Sequence, residues 1–113
     1  MAGLNETAKN NMLDHLGTLI THISIHSADP GATGLNEVAV TRQTISWNSA
    51  TGSNLDSVGT QEFSVDADTT VHSVGLWSAV SGGTFYGSRA LPAPETFSNA
   101  GTFTVNDLDI AVT

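Results

Sequence analysis

The sequence predicts a mainly β fold, an antiparallel β-sandwich of jelly-roll type preceded by one short N-terminal α-helix. Three observations carry this expectation. The apolar period changes from 3.6 to 2 residues at Thr18. Beyond that point short strand-like runs recur, parted by clusters of Gly, Pro, Asn and Ser. Charged residues make up only 12% of the chain and hydrophobic residues 39%. That balance suits sheets with hydroxyl and amide outer faces and is far from the composition of a disordered chain.

The helix is expected over residues 5–16, where Leu4, Ala8, Met12, Leu13 and Leu16 recur at helical spacing and Glu6, Lys9, Asn10 and Asp14 lie mostly off that face. Asn5 is placed to cap it, because a side-chain oxygen there accepts an orphan backbone amide, and Gly17 to end it in a left-handed turn. A helix this short rarely holds alone in water, so its apolar face must dock. Residues 1–17 are assigned to this helix, either part of the same domain or an oligomer contact, and 18–113 to the β-sandwich. Leu4, Met12 and Leu16 are the candidate contact residues of the helix.

From Thr18, Leu19, Thr21, Ile23 and Ile25 point one way and Ile20, His22, Ser24 and His26 the other, the pattern of a half-exposed strand. It stops at Ser27-Ala28-Asp29-Pro30-Gly31, where Pro30 fixes φ and Gly31 permits a positive one. Further runs near Glu37–Trp47, Thr60–Val65, Thr70–Ser78, Thr84–Leu91 and Thr102–Val112 bring the total to six or seven strands. Asn48–Asn54, polar enough for a mobile loop, and Pro92–Gly101 are among the separators. Val71–Trp77 is apolar on both faces, as a central strand would be, and Gly75 leaves room there for a close neighbour or a bulge. In the last run Phe103 and Val105 are odd-numbered but Leu108, Ile110 and Val112 even, so a β-bulge is expected near Asn106. The expected core comprises Ile23, Ile25, Trp47, Val74, Leu76, Trp77, Leu108 and Ile110. Phe85 and Tyr86 point to opposite faces, and Tyr86 is the outward contact candidate.

With 113 residues the chain is one domain. Three Lys and Arg against eleven Asp and Glu give a net charge of -8, which repels phosphate backbones and anionic membranes. No apolar run reaches the roughly 18 residues of a membrane span, and the start lacks the order of a signal peptide, so the mature protein is expected to begin at Met1. Without cysteine there are no disulfides, thiolate metal sites or cysteine nucleophiles. His22 and His26 have the spacing that lets a helix hold zinc, but on a strand they sit roughly 13 Å apart, too far for one ion. Asp66 and Asp68, or Asp107 and Asp109, offer oxygen ligands, yet neither pair belongs to a complete calcium loop. There is no nucleophile elbow, phosphate-binding glycine loop or zinc-protease motif. The sequence therefore reads as a non-enzyme without cofactor.

Two stretches are distinctive. One is Ile25-His26-Ser27-Ala28-Asp29-Pro30-Gly31-Ala32-Thr33-Gly34-Leu35-Asn36-Glu37-Val38, followed by Arg42 and Trp47. The other is Val74-Gly75-Leu76-Trp77-Ser78-Ala79, then Gly82-Gly83-Thr84-Phe85-Tyr86-Gly87, Leu91, Pro94, Phe97 and Gly101-Thr102-Phe103. With the N-terminal Ala8-Lys9-Asn10 and Leu13, they resemble a family of small virion structural proteins of tailed phages, found alone or as modules of minor tail and tail-fibre proteins. The resemblance implies a tail-associated virion component, partnered by copies of itself, a trimer being the favoured count, and by other virion proteins. The alternatives are a capsid decoration protein and a module that binds host-surface glycan. Relatives carry a Gly-Gly insert with a tyrosine before the arginine; here only Ala39-Val40-Thr41 separates Val38 from Arg42. Within the first stretch Asp29, Pro30, Gly31, Glu37 and Arg42 form the expected structural loop. Arg42, one of only three cations, is the natural partner of Glu37 or Asp29.

Overall fold

Among the described residues, eight strands and one helix follow in the order α1 (Glu6–Leu19), β1 (His22–His26), β2 (Gln43–Thr44), β3 (Asn54–Asp56), β4 (Gln61–Val65), β5 (Thr69–Trp77), β6 (Phe85–Phe97), β7 (Gly101–Val105) and β8 (Asp109–Ala111). They come from a computed structural model that describes residues 3–112, so the outer limits of the two expected segments, residues 1, 2 and 113, lie outside it. The fold is mainly β with one short helix, and every strand pairing is antiparallel. A four-stranded sheet has the order β2-β1-β5-β6, and two two-stranded sheets pair β3 with β8 and β4 with β7. The larger sheet and the β4–β7 pair share one core, in which Ile23, Ile25, Val74 and Leu76 meet Phe63, Val65, Phe103 and Val105. A smaller cluster of Leu13, Ala50 and Leu55 lies under the helix, and Trp47 and Ile110, both half-buried, pack against both.

Asn5 caps the helix through its side-chain oxygen, 2.9 Å from the amide of Ala8. Gly17 does not end it. The helix runs on to Leu19, with Ile20 as the cap, and Gly17 serves close packing instead: a Cβ there would stand 3.3 Å from Trp47 and 3.4 Å from Leu55. Leu19 thus belongs to the helix and not to a strand. β1 is not half-exposed either. Ile23 and Ile25 enter the core, and Ser24 and His26 are equally buried on the opposite face, under the loop that follows.

Of the run expected over Glu37–Trp47, only Gln43–Thr44 forms a strand, with isolated bridges at Glu37 and Trp47. The residues between them cover the sheet without extending it. β6 continues past Leu91 through Pro92 and Pro94 to Phe97. Proline removes a ladder donor, which is harmless on an edge strand, and Leu91–Pro94 sit at a register shift, between Ala90 opposite Ser73 and Glu95 opposite Val71. The phase slip near Asn106 is a break and not a bulge: β7 pairs with β4, and after Asn106–Leu108 the chain joins β3 as β8.

Candidate functional site

The expected structural loop closes over the outer face of β1 and β5 around one buried cation. Asp29 accepts the amide of Gly31 at 3.0 Å, and its carbonyl accepts from the Asn36 side chain at 3.0 Å, so the turn is tied at both ends. Pro30 is buried and its carbonyl accepts from Gly34 and Leu35. Arg42 pairs with Glu37 and not with Asp29. Its Nε donates to Oε2 at 2.8 Å and Nη2 to Oε1 at 3.0 Å. Nη1 donates to the carbonyls of Ala79 and Gly82 at 2.9 and 2.8 Å, and the guanidinium carbon lies 3.7 Å from the centre of the Trp77 ring. One side chain therefore fastens the loop to the β5–β6 turn.

Beneath it lies a polar chain. Trp77 Nε1 donates to Ser24 Oγ at 2.7 Å, Ser24 Oγ is 2.6 Å from His26 Nε2, and His26 Nδ1 is 2.7 Å from the carbonyl of Leu35. A carbonyl only accepts, so Nδ1 carries the proton and Nε2 accepts from the Ser24 hydroxyl. Every polar atom of the chain is satisfied with the imidazole neutral, and burial lowers the His26 pKa from its usual 6.5. Ser24 and His26 have the atoms of a nucleophile and base, but both are buried, His26 and Trp77 each packing on Phe85. Two glycines make this packing possible. A Cβ at Gly75 would meet His26 Nε2 and Ser24 Oγ at 2.5 Å, and one at Gly34, where φ is +81°, would meet the Trp77 ring at 2.6 Å.

The candidate contact residues sit apart from this node. Leu4, Met12 and Tyr86 are exposed, whereas Leu16 is half-buried against the chain's own core. The helix docks by an unexpected side. Asp14, Glu6 and Asn10 accept the amides of Ala50, Gly52 and Ser53 at 2.7, 2.9 and 2.9 Å, so the Asn48–Asn54 segment is fixed, not free. Leu13 alone of the expected apolar face is fully buried. His22 and His26 do not converge; His22 contacts Thr21 instead. Asp107 and Asp109 are joined by Asp56 in a cluster whose carboxylates lie within 4.8 Å of one another. A hydrogen bond with Asp56, then desolvation, then the bond and charge of Asp107 push Asp109 up to about 6. Asp66 and Asp68 form an exposed turn away from it.

A family profile described as podophage GP4 fiber I protein gp80 matches residues 3–113. The chain belongs to this family. It is a phage fibre-type structural protein and a component of the virion. No curated protein matches it. Both distinctive stretches of this fibre protein map onto the node: the first supplies His26, Glu37 and Arg42, the second Gly75, Trp77 and the carbonyl partners Ala79 and Gly82. The Ser24–His26–Trp77 chain runs against the alternation, which marks Ser24 and His26 as an outward face. Gly75, the only residue of that central strand without a side chain, was the available sign that something presses close.

Proposed function

We propose that the protein is a non-enzymatic, homo-oligomeric component of a phage tail fibre, its role being to build and join the fibre. The family match over residues 3–113 carries this reading. It is supported by a fold whose buried polar groups serve internal fastening, and by a charged content of 12%, which lets subunits meet with few ions to desolvate. Quantitative mass spectrometry of purified virions, with antibody labelling, tests it. A low copy number with label on the tail is expected; hundreds of copies spread over the head would replace fibre by capsid decoration.

A second reading adds host adhesion. A cleft of about 280 Å³ between β6 and β7 sets Arg89, Asn106 and Asp107 around an apolar floor that includes Leu91 and Phe103. Hydroxyl-rich rings suit such a mixture of donors, acceptors and apolar surface. Binding to host-surface glycans that Arg89→Ala abolishes is the expected result, and a flat titration over a broad glycan set removes this role.

A further inference from the structure

We infer that the outer face of α1 seats α1 of a second copy of this chain, and that this helix-on-helix seam is a subunit contact of the oligomer proposed above, on which the inference rests. Amphipathic helices normally bury their apolar stripe and show water their polar side. Here only Leu13 is fully buried, with Leu16 half-buried beside the core, and the rest of the docked side is polar. Glu6, Asn10 and Asp14 are spent on the amides of the chain's own 50–53 loop. The residues left facing outward include Met12, 50% exposed, and Leu19, 37% exposed. With Ala8 and His15 they follow the alternating spacing of four, three and four that keeps one seam of a helix facing another helix. Beside the seam runs an apolar groove of about 530 Å³, lined by Met12, His15, Leu16, Leu19 and Val112, a hole for side chains of a facing helix.

Charge selects the occupant. Two copies each carrying -8 repel wherever acids face each other. The helix has two acids, Glu6 and Asp14, and both are bound to the loop, so the seam presents none. It is a face by which this acidic chain can approach itself. Among the described residues α1 is the one helix, so a helix with a matching seam free of acids is supplied by a second α1. Two heptads would not hold as free peptides, but this helix is already anchored to its domain and so does not bear the nucleation cost again.

The absence of cysteine makes the test direct. Met12→Cys, on the seam, and Thr104→Cys, on the exposed face of β7, are oxidised as full-length proteins, and the wild type and Met12→Asp are compared by light scattering with circular dichroism as the folding check. The expected results are a disulfide-linked dimer from Met12→Cys alone and loss of the oligomer in folded Met12→Asp. A wild type that stays monomeric at high concentration overturns both the seam and the oligomeric reading. An oligomer that survives Met12→Asp, or equal cross-linking at both cysteines, overturns the seam and leaves the oligomer. Should Met12→Asp fail to fold, the cysteine pair alone decides.

Discussion

Arg42 is held by five contacts of three kinds: two to a carboxylate, two to carbonyls and one to an indole face. Its side chain is 7% exposed, so little of this is screened by water. Lysine would keep the charge but lose the planar fork and the stacking. Arg42→Lys is expected to lower stability by about 2 kcal/mol, read as the urea midpoint; an unchanged midpoint would show that fork geometry is not used. His26 sets a pH dependence of known sign. Its folded pKa lies below 6.5, so the unfolded chain binds the extra proton first, and the contribution of His26 is complete above 6.5 and lost as pH falls through the lower folded value. His26→Gln should flatten the part of the midpoint-against-pH curve that falls below pH 6.5. A slope untouched by the substitution would assign the loss to other groups.

The helix gains its place through polar atoms as well as through Leu13. Asp14→Ala removes an acceptor for the amide of Ala50, and should cost about 1–2 kcal/mol and speed amide hydrogen exchange at Ala50 while leaving β5 protected. Exchange at Ala50 unchanged would mean that the loop holds itself. How far the elements could be read from sequence follows from how local their causes are. The start of α1, β4 and β5 follow from capping chemistry and apolar period, which act over a few residues. The sequence pattern stops short of Pro92 although β6 continues, because proline carries no mark of whether its strand is central or at an edge. Val38 and Val40 alternate like strand residues, yet their segment is shaped by a guanidinium bound to Ala79 and Gly82, partners far along the chain. For the same reason the scarcity of cations pointed to the Arg42–Glu37 pair, while the Trp77 face and the buried His26 chain could not be inferred.

The molecule extends 49 × 27 × 26 Å and carries -8. Part of that charge is under strain where Asp56, Asp107 and Asp109 meet. Asp109 is raised to about 6, so the folded state favours its protonated form; that contribution is full below 3.8 and lost as pH rises through 6. Asp109→Asn should therefore raise the melting temperature at pH 8, with the gain fading below pH 4. A gain of equal size at both ends would separate the effect from titration. On acidification Asp109 and His26 act in opposite directions, so the substitution also uncovers the full His26 slope. The pairing of β1 with β5 has a consequence for how the chain is made. His22 registers with Trp77 and His26 with Ser73, so although the two-residue β2 can pair early, the first strand has to wait for most of the polypeptide before it finds its longer neighbour. The loop after it cannot be fastened until Ala79 and Gly82 have been synthesised. Such non-local closure places folding on the order of milliseconds to seconds. During translation the apolar side chains of the early strand stay without their core until that pairing is made, the interval in which such a chain is most prone to aggregate.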